Sequence, residues 1–154
     1  MIEIRITSNP RFLIIVRAMV GQLCEVVECS KEEQRKIVLA VDEACANIIK
    51  HTYHFDENQP IEIVCKGNEK RLEIVLKDWG PPIDIERVQP RDLEVVKPGG
   101  LGTHFIRSIM DEVDFSHEEG CGNVLRMVKH LRTPGSEEGV DLGRKNDGSE
   151  ESKG

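Results

Sequence analysis

The sequence has no run of Lys and Arg, no apolar stretch long enough to cross a bilayer and no signal-peptide core. Its formal charge of -7 and pI near 5.3 would on average repel a phosphate backbone. Nucleic acid and membrane are therefore not expected partners, and a cytoplasmic location is expected. The five cysteines form no CxxC pair and no Cys/His metal spacing. They read as small reduced hydrophobes, Cys24 and Cys29 included. No internal repeat of any period is present. At 154 residues the chain has the length of about one domain, enough to bury roughly two-thirds of its unfolded surface.

What is present is a regular alternation of elements. Ile2, Ile4 and Ile6 alternate with Glu3, Arg5 and Thr7, the period of a strand with one wet face, placed at an edge or second in a sheet. Ser8-Asn9-Pro10 supplies a helix start, and the run after it reaches about Glu28 with Phe12, Val16, Met19, Val20 and Leu23 as its buried stripe. Arg11 and Arg17 fall on the wetter side as surface charge. Ser30-Lys31-Glu32-Glu33 is a capping box opening a second helix that runs to about Thr52. Residues 61–66 and 72–77 alternate around Gly67-Asn68-Glu69-Lys70, a hairpin signal. Residues 83–96 are rich in charge and suggest a short helical turn within a loop. Pro98 to Thr103 opens a third helix with the stripe Phe105, Ile106, Ile109, Met110 and Val113. Residues 113–117 and 123–131 read as a final strand pair. From Arg132 the composition turns polar, so residues 132–154 are expected to be a disordered tail.

Three places carry chemistry. In the second helix, Glu43 and Asn47 lie one turn apart at the border of the stripe Ile37, Val41, Ala44, Cys45 and Ile48. A carboxylate there can take a proton, and an amide oxygen is a hard donor suited to Mg2+. Asp78 stands at a strand end, where the backbone must turn at Trp79-Gly80-Pro81-Pro82 and where sites are commonly built. Gly99, Gly100 and Gly102 precede or open a helix, so backbone N–H groups can approach an anion closely. Each has an ordinary alternative: Glu43 as a solvated helix residue, Asp78 as a turn-former, the glycines as a structural cap, and Trp79 as a core anchor. His51 reads as a packing residue one turn beyond Asn47.

In this fixed order the motifs resemble the gyrase, histidine-kinase and MutL ATPase superfamily, and most closely its anti-sigma-factor serine/threonine kinases of the partner-switching type. The N box, E-x-x-x-N, is Glu43-Ala44-Cys45-Ala46-Asn47; the first glycine box is Asp78-Trp79-Gly80-Pro81-Pro82; the second is Gly100-Leu101-Gly102. The resemblance covers residues 1–131. It implies an α+β sandwich of the Bergerat type: a mixed, mainly antiparallel sheet with about three helices on one face. It also implies Mg-ATP as cofactor, Glu43 as general base and Asn47 as Mg2+ ligand. Asp78 would accept the adenine amine, with Gly80 giving the base room. Lys50, Pro82, Gly99, Gly100, Leu101, Gly102, Thr103 and Asn123 complete the implied nucleotide site, and Lys97 or Arg107 would be an optional positive charge.

The implied partners are an anti-sigma-factor antagonist as substrate, a sigma factor, and a second copy of the chain. Pro82 departs from the second glycine of the first box, and Gly122-Asn123 departs from the usual Gly-Thr of a third. Two other functions fit the same residues: a nucleotide-sensing binding module without catalysis, and an ATPase with water as acceptor.

Overall fold

The computed structural model describes residues 1–82, 101–118, 120 and 122–131. In chain order these form strand β1 (Ile2–Thr7), a 3-10 turn (Pro10–Phe12), helix α1 (Leu13–Val26), helix α2 (Lys31–Asn47), a π-helical turn (Ile48–Thr52), strands β2 (Pro60–Asn68) and β3 (Arg71–Asp78), helix α3 (Leu101–Ile109), and strands β4 (Glu112–Glu118) and β5 (Gly122–His130). The expected turn within residues 83–96, the glycines Gly99 and Gly100, Lys97 and the tail 132–154 lie outside the described residues.

The strands form one sheet in the order β1-β2-β3-β5-β4. The expected antiparallel character holds at all four pairings among the described strands. β1 occupies an edge, as its single wet face suggests. Alternation dictates the two faces. Ile61, Ile63 and Cys65 of β2 and Leu72, Ile74 and Leu76 of β3 point inward and are at most 1% exposed. There they join Val16 and Val20 of α1, Ile37, Val41 and Ala44 of α2, and Ile106 of α3 in one core. The described helices thus cover one face, and each such Ile or Leu contributes roughly 1.5–3 kcal/mol by leaving water.

The opposite face carries charge. Arg126 meets Glu73, Glu112 and Asp114, and Lys77 meets Glu62 at 3.0 Å.

Local chemistry sets the helix ends. Asn9 caps the first turn by accepting from the Arg11 amide. The turn it opens is 3-10, with three residues per revolution, so the α-helical phase begins only at Leu13. Leu13 is buried and Phe12, expected in the stripe, is 40% exposed. α1 ends in a Schellman motif: the Cys29 amide donates to the Cys24 carbonyl and the Glu28 amide to that of Glu25. Glu28 takes the left-handed conformation there, with φ 59°. Arg17, surface charge as expected, pairs with Asp42 at 2.7 Å.

The capping box predicted for α2 is present in both halves, Ser30 accepting from the Glu33 amide and the Glu33 carboxylate from that of Ser30. In α3, Ile106 and Met110 define the buried line, while Phe105 lies one residue off it and is 40% exposed. Val113, grouped with that stripe, is buried from β4 instead.

Candidate nucleotide site

α2 carries its apolar line Ile37, Ala40, Val41, Ala44 and Cys45 into the core. Glu43 and Asn47 stand half-buried at the border of that line, where a helical period of 3.6 residues puts them on one side. The end of α2 then changes pitch. The Tyr53 amide donates to Ile48 and is followed by two left-handed residues, His54 (φ 51°) and Phe55 (φ 65°). A π-turn advances by five residues rather than four, so Thr52 takes the place below Asn47 that an α-helix would have given to His51. His51 is consequently exposed, correcting its reading as a packing residue, and Lys50 is exposed beside it.

α3 approaches this pair through Gly102. A Cβ built on Gly102 would lie 2.1 Å from Glu43 Oε1 and 2.9 Å from Asn47 Nδ2. With no Cβ at Gly102, the first turn of α3 rests directly on the Glu43/Asn47 pair, whose side-chain ends would otherwise have to move aside. Thr103, next in the turn, is half-buried. Arg107 is turned to another task, donating from Nη1 to the Val113 carbonyl at 3.1 Å and lying over the Phe115 ring. It ties the last turn of α3 to β4.

Asp78 closes β3 with its side chain on the inner face, 2% exposed. Its Oδ1 accepts from the Gly80 amide at 3.0 Å and from Asn123 Nδ2 at 2.8 Å. Burial pushes the carboxyl above the usual aspartate range, and these two bonds and the nearby His117 oppose the shift only in part. Asn123, 1% exposed, also donates to the Pro81 carbonyl at 3.0 Å. Gly80 is fixed from behind: a Cβ there would fall 2.0 Å from Thr52 Cγ2. Pro82 lies exposed beyond the turn.

Trp79, next in sequence to Asp78, points the other way. Its ring packs under the Arg5 guanidinium at 4.9 Å, on the helix-free face. Its amide donates to the Tyr53 hydroxyl, which in turn donates to Pro60. Trp79 is therefore neither a core anchor nor a wall of the pocket on the side of Asp78.

The structure thus brings Glu43, Asn47 and Gly102 together at one point and Asp78, Gly80 and Asn123 at another, with Thr52 between α2 and the Asp78 turn. Three contributors escape a reading of the sequence: Thr52, Tyr53 and His117. The last contacts Asn123, Nδ1 to Oδ1, at 3.0 Å. A hairpin centred on Gly120 places His117 opposite Asn123, so that pairing was the available signal. Nothing in local sequence announces a π-turn at Ile48.

Comparison with known proteins agrees with this geometry. The family model of the histidine kinase-like ATPase domain matches residues 6–129. The serine-protein kinase RsbW of Bacillus subtilis (strain 168) is 29% identical over 139 residues, covering 84% of this chain and 85% of its own. RsbW of Bacillus thuringiensis (strain Al Hakam) is 30% identical, covering 85% of each. A crystal structure of the RsbU and RsbW domains of a Mycobacterium tuberculosis protein shares the fold, with a TM-score of 0.57 at 14% identity over 85% of this chain. The present chain spans 33% of that longer one. With the E-x-x-x-N helix, the strand-end aspartate and the glycine-opened helix all in place, the chain belongs to the histidine kinase-like ATPase domain family.

Proposed function

We propose that this protein is an Mg-ATP-dependent serine/threonine protein kinase of the anti-sigma type. It would phosphorylate an anti-sigma-factor antagonist, and would alternate between that partner and a sigma factor as a cytoplasmic homodimer. The observation that carries the reading is the seating of Gly102 on the Glu43/Asn47 pair. A glycine-opened helix N-terminus, which attracts phosphate oxygens, there meets a carboxylate and a side-chain amide within one small space.

The residues present fit the nucleotide and its metal. Asn47 would offer Mg2+ its side-chain oxygen, a hard donor, and the missing Cβ at Gly102 lets the first turn of α3 come close to the Glu43/Asn47 pair. When bound, Mg2+ supplies neutralisation of the charge on the phosphate oxygens.

The chain's own groups do the rest. Asp78, with Oδ1 held by Gly80 and Asn123, presents Oδ2 to the exocyclic amine of adenine. Gly80 and Pro82 shape the turn beside the base. Amides of the first turn of α3, at Gly102 and Thr103, bind phosphate oxygens, with Gly99, Gly100 and Leu101 assigned to the same lid by their place in the sequence. Lys50, exposed after Asn47, supplies positive charge at the phosphate end. Glu43 takes the proton of the attacking hydroxyl and orients that oxygen in line with the γ-phosphorus.

Glu43→Ala is expected to retain ATP binding, measured by calorimetry, and to lose phosphoryl transfer to the acceptor by at least about a hundredfold, the scale of one general base. Equal transfer by both proteins would refute the assignment. Phosphate release without an acceptor protein would point to water instead.

A further inference from the structure

Asp78, Asn123 and His117 stand in a single cross-strand row on the helix-covered face of the sheet: Asp78 pairs with Asn123, and Asn123 with His117. Asn123 is held at both ends of its amide. Its nitrogen donates to Asp78 Oδ1 at 2.8 Å and to the Pro81 carbonyl at 3.0 Å. Two acceptors on one side fix which end is the NH2 group, so the oxygen must face His117. That oxygen can only accept, and the 3.0 Å contact from His117 Nδ1 therefore requires the proton on Nδ1. The bond is the same whether or not Nε2 is also protonated.

We infer that His117 is a positioning residue for nucleotide recognition. By donating from Nδ1 to Asn123 it locks the amide that holds Asp78 Oδ1, and so aims Oδ2 at the exocyclic amine of the base. The inference rests on the nucleotide reading of the site and adds to it a residue that touches no nucleotide.

The physical need is visible in the burial. Asn123 is 1% exposed and Asp78 2%, so a wrongly turned amide would set a carbonyl oxygen against a buried carboxylate and against the Pro81 carbonyl. The side chain of Asn123 turns about two bonds, and donors and acceptors at both ends restrict them together. His117 itself lies exposed on the edge strand β4, so replacing it removes the bond without opening the core.

The experiment uses the full chain and ATP, with dissociation constants from calorimetry for the wild type, His117→Ala and His117→Asn, each repeated in an Asn123→Thr background. Asparagine carries an N–H donor in the place of Nδ1, whereas alanine carries none. Loss of a hydrogen bond to a buried oxygen predicts about tenfold weaker binding for His117→Ala. His117→Asn should stay within about twofold of the wild type. In the Asn123→Thr background His117→Ala should have no effect, because no amide remains to be oriented.

The brace also has a readout that needs no nucleotide. The side-chain amide protons of Asn123 should exchange with solvent more slowly in the wild type and His117→Asn than in His117→Ala, where the amide keeps its two acceptors but loses the restraint on its oxygen. Equal losses in His117→Ala and His117→Asn would overturn the proposal, as would a loss that persists in the Asn123→Thr background. If the wild type shows the protected amide yet binds no ATP, the nucleotide reading fails and the positioning role falls with it. If it binds ATP while His117→Ala changes neither amide nor affinity, the brace alone is refuted.

Discussion

Gly122→Ala tests the close approach on which the Asp78 end of the site is built. Two penalties apply at this position. Gly122 has φ +87°, in the half of conformational space that L-residues avoid, and a side chain there costs about 1–2 kcal/mol. A Cβ at Gly122 would also lie 2.1 Å from the Asp78 carbonyl oxygen and 3.2 Å from the Trp79 Cα. Both atoms are backbone at the end of a paired strand, so relief requires β3 and β5 to part at the Asp78/Asn123 pair. Each ladder hydrogen bond given up costs about 1 kcal/mol.

The sum is about 3–5 kcal/mol, a large share of the 5–15 kcal/mol that is typical of a domain. Gly120 supplies an internal control. Its φ is +80°, yet a Cβ there meets no described atom within 4 Å. Gly120→Ala therefore bears the torsional penalty alone, about 1–2 kcal/mol. In urea, followed by far-UV circular dichroism, the midpoint of Gly122→Ala should fall about 1–2 M below that of Gly120→Ala with an unchanged slope, given slopes of about 1–3 kcal/mol per M. Coincident midpoints would refute the steric reasoning, since torsion is common to both variants.

Two further perturbations probe the same corner. Gly80→Ala drives a methyl into Thr52 Cγ2 at 2.0 Å while leaving Thr52 Cβ at 3.5 Å. It should therefore destabilise by about 1–3 kcal/mol, and Thr52→Ser should restore most of the loss; additive effects in thermal melts would sink the contact. Asp78→Asn should raise stability at pH 7 while abolishing ATP binding, the exchange typical of a functional site. Because burial raises the folded carboxyl above its ordinary value of 3.8, the folded state holds its proton longer, and stability from this group is lost as pH rises through the folded value. The gap between Asp78→Asn and wild type should thus widen as pH rises above 3.8; a gap independent of pH would mean that burial of the charge is not its cause.

The parts of the fold legible in the sequence are those set by neighbours in the chain. Ser30 and Glu33 satisfy each other's amides, so the start of α2 follows from four residues. The alternation in β1, β2 and β3 follows from side chains that must choose one face. The hairpin turn is legible to within its flanks: composition places Gly67 and Asn68 in the loop, yet β2 runs on through Asn68, whose Oδ1 receives the Lys70 and Arg71 amides and tightens the turn to two residues. Phe12 and Phe105 misled for one reason. Hydrophobicity assigned them to stripes whose phase is set by backbone pitch and by residues on other elements. Trp79 misled because adjacency in sequence implies opposite faces in a strand, and its partner Arg5 comes from the far edge. The site was legible as a set of residue types, Glu43, Asn47, Asp78 and Gly102. Its supports Thr52 and His117 were not, because one depends on a change of helix pitch and the other on a hairpin register.

That register joins stability to function. On the inner face, Phe115, Leu125, Leu76, Ile63 and Ile4 form one cross-strand row, and two residues along the strands His117, Asn123, Asp78, Ile61 and Ile6 form the next. The first row is apolar from edge to edge, while the second is polar over three strands and apolar over two. A slip of one residue in β5 would carry Leu125 and Met127 out of the core and turn Asn123 to the opposite face in the same step. The core therefore selects the only register in which Asp78 meets its amide. The pairing that buries Leu125 against Leu76 is also what aims Asp78, so any change that slips β5 against β3 must damage both together.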